Sequence, residues 1–261
     1  MEVIIRPSQD EACSLTAQLI ADAIRGNPKL VLGLATGRTV ERVYAMLVQK
    51  HREEGLDFSL VRTFNLDEYI GLDPEDPNSY RQYMNRHLFK HVNIDIRNTH
   101  LPCGVAPDID EECRRYEQAI EDCDGIDFQL LGIGISGHIG FNEPLSAMRS
   151  RTRAKALTPL TIEQNSPLFS PPESMPRRAI TMGVGTILDC RRCVMLVTGE
   201  AKAEVLAKAV EGPVTSMISA SAMQLHPKCT VIVDEAAASR LENKEYYHWI
   251  FANEPEWEPY R

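Results

Sequence analysis

Short apolar runs alternate with longer amphipathic segments along most of the chain. Apolar runs with the length of buried strands lie at residues 1–5, 29–34, 60–65, 126–131, 178–182, 194–198 and 229–233. Amphipathic segments that predict helices lie at about 8–25, 39–53, 79–92, 108–122, 199–211, 216–225 and 234–253. Strands separated by helices throughout predict an α/β fold, a doubly wound and mostly parallel Rossmann-like sheet flanked by helices.

Length and charge narrow the class of protein. A chain of 261 residues, 43% of them hydrophobic, can bury one large core, and no linker divides it, so residues 1–261 are expected to form a single domain. A formal charge of -9 disfavours nucleic acid or an anionic membrane as the main partner. No apolar run approaches the roughly 18 residues of a membrane span, and the first residues lack the features of a signal peptide. We therefore expect a cytoplasmic protein.

The cysteines and histidines do not form a recognisable metal motif. Seven cysteines are widely spread in a chain without an export signal, which predicts reduced thiols. Cys190 and Cys193 are the one close pair, and zinc would need two further ligands at suitable spacing. Because no H-E-x-x-H arrangement accompanies them, His87 and His91 are interpreted as packing or surface residues. The sequence thus predicts no metal site.

The stretch 130–144, L-L-G-I-G-I-S-G-H-I-G-F-N-E-P, has the profile of a buried strand that leads into a functional loop. Its glycines allow the backbone to approach a ligand closely. The polar side chains of His138, Asn142 and Glu143 lie among these glycines, and each must be solvated, be paired with another polar group or take part in function. We interpret them as functional, although a plain phosphate loop or strand-to-loop junction would give a similar glycine pattern.

Polar residues also follow the second predicted strand, at the start of a helix. Thr36, Gly37, Arg38 and Thr39 bring backbone N–H groups, hydroxyls and a guanidinium to one point. Such a point favours an anion, and arginine can bind phosphate oxygens in a bidentate manner. An ordinary strand-loop-helix junction is the alternative interpretation.

Two further strand ends carry charge. Asp67 and Glu68 follow the third strand, at the sheet edge where open α/β sheets place their chemistry, although they could also begin a solvated loop. Lys202 falls in the first turn of a later helix, where a cation is mildly unfavourable unless an anionic ligand is bound.

Three motifs in order, L-G-L-A-T-G-R-T at 32–39, T-F-N-L-D-E-Y-I-G-L at 63–72 and the stretch 130–144, make the chain similar to the glucosamine/galactosamine-6-phosphate isomerase family, which includes the glucosamine-6-phosphate deaminases. The resemblance covers nearly the whole chain. It implies conversion of glucosamine 6-phosphate and water into fructose 6-phosphate and ammonia by ring opening, aldose-ketose isomerisation and deamination. It implies no metal and no organic cofactor.

Residue by residue, the resemblance makes Asp67 the enolisation base and His138 the acid-base group for ring opening, with Glu143 orienting and tuning it. Histidine suits this task because its unperturbed pKa lies near neutrality. Lys202 matches the phosphate-binding lysine of the family. The expected partner is therefore a small amino sugar phosphate.

The sequence departs from the family pattern at two positions. Ser136 stands where the family carries aspartate or asparagine in the ring-opening group, and serine is shorter and cannot contribute a charge. Pro167 stands where a phosphate-binding arginine is expected, and proline has no donor. Arg38, where relatives usually have a small residue, could supply the missing guanidinium.

The sequence gives less information about regulation and oligomeric state than about the reaction. Ser146, Arg153 and Lys155 match positions that bind an allosteric sugar phosphate in some relatives, but they could equally form a solvated basic strand. Coupling through an effector would require a homo-oligomer, which the sequence does not fix.

Three other functions remain open at this point. They are a deaminase or isomerase for another amino sugar phosphate, a 6-phosphogluconolactonase-like hydrolase, and a sugar-phosphate-binding regulator without turnover. The set of Asp67, His138 and Glu143 suits proton transfer better than lactone hydrolysis, whereas Ser136 and Pro167 are the evidence for the regulator.

Overall fold

The computed structural model describes residues 1–261. The α-helices are α1 (Gln9–Gly26), α2 (Arg38–Glu54), α3 (Tyr80–His87), α4 (Ile109–Glu121), α5 (Pro159–Asn165), α6 (Val184–Leu188), α7 (Ala203–Val210) and α8 (Lys244–Asn253). The strands are β1 (Glu2–Arg6), β2 (Val31–Leu34), β3 (Arg62–Asn65), β4 (Asp67–Tyr69), β5 (Thr99–His100), β6 (Phe128–Leu131), β7 (Arg153–Ala156), β8 (Arg178–Thr181), β9 (Arg192–Val197) and β10 (Cys229–Asp234).

Seven strands form one parallel sheet in the order β1-β10-β9-β6-β2-β3-β5. The chain order reverses beside β2, because β3 and β5 lie on one side of it and β6, β9, β10 and β1 lie on the other. In open α/β sheets, ligands bind outside the carboxyl ends of the strands at such a switch point. The loops after β2 and β6 meet there. The predicted doubly wound, mostly parallel fold is confirmed.

A second sheet of three antiparallel strands, β4, β8 and β7, was not predicted. Asp67 begins β4 and pairs with Thr181 of β8, although the sequence suggested a loop after Asn65. Three residues are too few to show a periodicity of their own. The polar segment 150–172 contains the short strand β7 before it turns into α5.

Side-chain caps mark the starts of α1, α3, α4 and α5. Ser8 caps α1, its hydroxyl accepting the N–H of Glu11 at 3.2 Å. The Glu11 carboxylate does not close the capping box, because it pairs with Arg6 at 3.2 Å instead. The helix predicted at 79–92 ends at His87 and continues as a 3₁₀ turn, Phe89–His91. The helix predicted at 199–211 begins as a 3₁₀ turn and becomes α7 at Ala203, the one predicted at 216–225 is the 3₁₀ helix Ser219–Leu225, and the one predicted at 234–253 contains a 3₁₀ turn before α8 begins at Lys244. No helix combines the length and apolar composition needed to cross a bilayer.

Most buried apolar side chains form one core around the large sheet. A separate small cluster lies beside the second sheet and consists of Tyr69, Leu72, Phe141, Leu157, Phe169, Met175 and Ala179. Phe169 and Met175 belong to the stretch 159–175, which contains α5 and the turns after it and is called the α5 segment below. The α5 segment therefore packs against its own apolar cluster, next to the loop that carries His138.

Candidate active site

A cleft of about 750 Å³ opens at the carboxyl ends of the strands on either side of the switch point. It brings together seven of the residues selected from the sequence: Thr36, Gly37, Arg38, Thr39, Asp67, His138 and Lys202. Ser136 and Glu143 lie behind His138 and contact its ring. Ser146, Arg153 and Lys155 are not on the cleft wall.

Asp67 is held at the cleft wall by strand β4, with only 5% of its surface exposed. Burial, and then the neighbouring charge of Glu68, raise the pKa of Asp67 to about 8. No hydrogen bond from the protein opposes this shift. The carboxyl is thus poised to exchange a proton near neutral pH.

Glu68 has a different task from its neighbour. Its carboxylate accepts the N–H groups of Tyr69 at 2.9 Å, Tyr80 at 3.0 Å and Arg81 at 3.1 Å. Tyr80 and Arg81 open α3, so Glu68 satisfies free amides at the start of that helix. Of the two adjacent carboxylates, only that of Asp67 lies on the cleft wall.

The ring of His138 is fixed through one nitrogen. Its Nδ1 lies 2.7 Å from Ser136 Oγ and 3.1 Å from Glu143 Oε2. Because a carboxylate only accepts hydrogen bonds, the contact with Glu143 favours a proton on Nδ1. Nε2 is left to act on a ligand. A Cβ at position 134 would lie 2.0 Å from Nε2, so Gly134 makes room for the ring.

Glu143 connects the histidine to the α5 segment. While Oε2 faces His138, Oε1 accepts the hydroxyls of Thr161 at 2.5 Å and Thr158 at 3.2 Å. Burial raises the pKa of Glu143, but its bonds with His138, then Thr161 and Thr158, outweigh burial and lower the pKa to about 2. The carboxylate therefore stays ionised and can stabilise an imidazolium at His138.

The other end of the cleft is cationic. Lys202 lies in the 3₁₀ turn Glu200–Lys202 before α7, and burial, followed by the nearby charge of Arg38, lowers its pKa. Arg38 is exposed and makes no hydrogen bond or ion pair with another side chain. Two like charges close enough to affect each other make this end of the cleft favourable for an anion.

The α5 segment contributes no cation to the cleft wall. The residues that it places there are Gln164, Asn165, Pro167, Leu168 and Phe169. Pro167, at the position of the expected arginine, thus lies on the wall without a donor. Any anion in this cleft must therefore be held by residues outside the α5 segment.

The three proposed effector-binding residues are partly engaged inside the protein. Arg153 donates to Asn142 Oδ1 at 2.9 Å and to Ser146 Oγ at 3.0 Å, and Ser146 is buried. Lys155 is half-buried on the same strand. These contacts connect β7 to the loop that carries Glu143. Binding of an effector at these residues stays a prediction.

Sequence reasoning missed several residues of the cleft. Its wall also includes Glu41, Tyr80, Tyr83 and Arg86, which were assigned no role from the sequence, and His87, which was interpreted as a packing or surface residue. Tyr83 and His87 are one helical turn apart, and their rings pack at 4.4 Å. Their spacing could have indicated a shared helix face, but nothing in it indicated that this face would meet the loop after β2.

Comparison with known proteins agrees with this architecture. The family model of glucosamine-6-phosphate isomerases/6-phosphogluconolactonase matches residues 8–232. A glucosamine-6-phosphate deaminase of Hahella chejuensis is 49% identical over 250 residues, covering 96% of this chain and 95% of that protein. One from an Arthrobacter species is 45% identical over 258 residues, covering 99% of each.

Solved structures extend the comparison. A monomeric glucosamine-6-phosphate deaminase superposes with a TM-score of 0.90 at 43% identity, covering 92% of this chain and 100% of that one. A 6-phosphogluconolactonase from Trypanosoma cruzi superposes with a TM-score of 0.76 at 20% identity, over 92% of this chain and 97% of that one, which shows a shared fold. The chain therefore belongs to the glucosamine-6-phosphate isomerase/6-phosphogluconolactonase family.

Proposed function

We propose that this protein is a glucosamine-6-phosphate deaminase, which converts glucosamine 6-phosphate and water into fructose 6-phosphate and ammonia. The observation that carries the proposal is that two proton-transfer groups, Asp67 and His138, share one cleft with a cationic end formed by Arg38 and Lys202. The relatives at 45–49% identity over nearly the whole chain carry the same activity in their names.

Ring opening is assigned to His138. With Nδ1 bound to Glu143 and Ser136, Nε2 can accept the proton of the anomeric hydroxyl and return a proton to the ring oxygen. The ionised Glu143 stabilises the imidazolium that exists between these two transfers. The product of this step is the open-chain aldehyde.

Isomerisation is assigned to Asp67. Its carboxylate removes the proton from C2 and delivers it to C1, while the C1 oxygen gains a proton and the amine loses one. Together these transfers convert the aldehyde with an amine at C2 into an alcohol at C1 with an imine at C2. Burial favours the protonated form of the free carboxyl, so this base must first lose its proton. A substrate ammonium group at C2 would favour the ionised carboxylate, because opposite charges in a buried site attract strongly.

Deamination completes the reaction. Water adds to the C2 imine, the carbon-nitrogen bond breaks, and ammonia leaves as the ketone of fructose 6-phosphate forms. Over the cycle, one water is consumed and one ammonia is released, while Asp67 and His138 return to their starting protonation states. This sequence assigns no step to Glu68, in agreement with its bonds to α3.

The phosphate is assigned to the turn at residues 36–39 together with Lys202 and Arg38. The amides of Thr36 and Gly37 donate to no acceptor within the protein, and a dianion supplies the missing acceptors. Because the α5 segment places no cation on the cleft wall, the phosphate is bound by the turn after β2 and by Lys202.

The test is an assay of ammonia release and fructose 6-phosphate formation from glucosamine 6-phosphate. Unphosphorylated glucosamine is the control for the phosphate site, and other amino sugar phosphates compare the sugar specificity that Ser136 affects. Hydrolysis of 6-phosphogluconolactone without ammonia release from any amino sugar would support the hydrolase instead. Binding of glucosamine 6-phosphate without turnover would support the regulator.

A further inference from the structure

Two tyrosines hold backbone carbonyls of the turn after β2. The Tyr44 hydroxyl donates to the carbonyl of Ala35 at 2.5 Å, and that of Tyr83 donates to the carbonyl of Gly37 at 2.9 Å. The Tyr80 phenol, next to them on the cleft wall, donates to the hydroxyl of Tyr69 at 3.3 Å. Tyr44 comes from α2, and Tyr80 and Tyr83 come from α3.

The Tyr83 hydroxyl binds the carbonyl of Gly37, the capping residue of α2. In α1, α3 and α4, the carbonyl of the capping residue accepts the N–H four residues further on, at 3.0 Å in each case. In α2, the carbonyl of the capping residue Gly37 also accepts a bond from outside the helix, from the phenol of Tyr83. The first turn of α2 is therefore fixed from a neighbouring helix.

Fixing a carbonyl also fixes the amide that follows it. In a trans peptide the C=O and the next N–H point in opposite directions. A Gly37 carbonyl held by Tyr83 thus directs the N–H of Arg38 away from the phenol, and Tyr44 does the same for Thr36 through Ala35. A carbonyl released from its tyrosine could instead turn its oxygen towards a bound anion and repel it.

Gly37 gives this turn the freedom to move if it is not held. Its φ is 127°, a region that side-chain-bearing residues rarely adopt, and a Cβ there would meet no atom within 4 Å. Glycine therefore permits this conformation, and a side chain at this position would pack against nothing. The Tyr83 bond is the side-chain contact that holds the Gly37 carbonyl.

We propose that Tyr83 is a positioning residue for anion binding, which holds the Gly37–Arg38 peptide in the orientation that binds the substrate phosphate. The proposal rests on the proposed function only in taking this turn as the phosphate site. Tyr44 holds the carbonyl of Ala35 earlier in the same turn. Tyr83 acts through the peptide and has no role in proton transfer.

Tyr83→Phe is the minimal test, because it removes one hydroxyl and keeps the ring that packs against His87. Inorganic phosphate is the probe, measured by calorimetric titration and as a competitive inhibitor. We expect the Kd for phosphate and the KM for glucosamine 6-phosphate to rise together by roughly 3- to 10-fold, the loss of one hydrogen bond, with kcat changed less than about twofold.

A double variant separates positioning from a general structural role. Gly37→Ala disturbs the same peptide through its backbone, so Tyr83→Phe should weaken phosphate binding much less in the Gly37→Ala background than in the wild type. Tyr260→Phe is the matched control, since it removes a phenol that donates to Asp22 at 3.1 Å and does not line the cleft. It should leave the phosphate Kd unchanged.

Three results would overturn the proposal. They are an unchanged phosphate Kd in Tyr83→Phe, independent effects of Tyr83→Phe and Gly37→Ala, and a fall in kcat with KM unchanged, which would place the hydroxyl in the chemistry. The titration does not depend on turnover. Absence of ammonia release by the wild type would therefore count against the proposed function alone, while the phosphate Kd would still decide the role of Tyr83.

Discussion

Ser136 Oγ lies 2.7 Å from Nδ1 of His138, the same ring nitrogen that faces Glu143. The serine hydroxyl is also 3.3 Å from Glu143 Oε2, so one short side chain serves both groups. A single hydroxyl can accept from the ring N–H and donate to the carboxylate. Ser136 thus contacts both groups through one oxygen and without a charge.

Replacement of Ser136 by the family's residue should improve ring opening. In Ser136→Asn the carbonyl oxygen can accept from Nδ1 while the amide donates to Glu143, so each partner has its own atom. We expect a higher kcat/KM on glucosamine 6-phosphate, and a loss of roughly 2- to 10-fold in Ser136→Ala, in which this hydrogen bond is missing. Lower kcat/KM in both Ser136→Asn and Ser136→Asp would instead identify the serine as an adaptation to another substrate or role.

Asp67→Asn should abolish turnover and leave binding largely intact. The amide keeps the shape of the carboxyl but cannot accept the C2 proton at neutral pH. Ammonia release should fall by at least about 100-fold, the lower end of what a positioned acid-base group contributes, while the phosphate Kd changes little. A variant that retains most of its kcat would remove Asp67 from the mechanism.

The same substitution should change how stability depends on pH. In the unfolded chain an aspartate ionises near pH 3.9, whereas burial and Glu68 raise the pKa of Asp67 to about 8 in the folded protein. Between these values the folded state retains a proton that the unfolded state has lost. The free energy of unfolding therefore falls as pH rises through this window, by at most about 1.4 kcal/mol per pH unit.

The amide introduced by Asp67→Asn has no proton to lose in this range, so the Tm advantage of this variant over the wild type should grow from pH 4 to pH 8 and then level off. Asp110→Asn, at an exposed position on α4, is the control that should show no such growth. Thermal unfolding at intervals of one pH unit measures both. A constant difference between Asp67→Asn and the wild type would show that the carboxyl is ionised in the folded protein over this range.

Short apolar runs separated by helical periods predicted six of the seven strands of the large sheet. The two-residue strand β5 was not predicted, and the run at 178–182 belongs to the second sheet instead. Asp67 illustrates the limit of this reasoning. Its position after β3 was evident, but β4 pairs with β8, more than a hundred residues away in the chain. Three residues carry no pattern from which such a partner could be inferred.

The contacts made by the α5 segment could not be predicted from the sequence either. Thr161 donates to Glu143 from a helix whose residues have no motif in common with the glycine-rich loop. Likewise, the phenol of Tyr83 reaches Gly37 from a helix 46 residues further along the chain. Local patterns indicate which residues lie at strand ends, whereas such supporting bonds depend on how helices pack.

Arg38 should carry much of the phosphate binding, because Pro167 leaves the α5 segment without a cation. Its guanidinium has no partner in the protein, and it lies close enough to Lys202 to lower the pKa of that lysine. Loss of a charge-assisted bond costs about 1.5 to 3 kcal/mol, so Arg38→Ala should lower kcat/KM by roughly 10- to 150-fold, mostly through KM. Arg38→Lys should recover part of this, since a point charge cannot reproduce a bidentate fork.

Arg42→Ala is the matched control for Arg38→Ala. Arg42 lies one turn further along α2 and is also exposed, but it pairs with Asp10 and does not line the cleft. Its removal should leave KM for glucosamine 6-phosphate unchanged, because an exposed ion pair outside the cleft contributes little. If Arg38→Ala behaves like Arg42→Ala, the guanidinium merely covers the start of α2. The missing donor at Pro167 would then be uncompensated, and a sugar-phosphate-binding regulator would become the better account of this cleft.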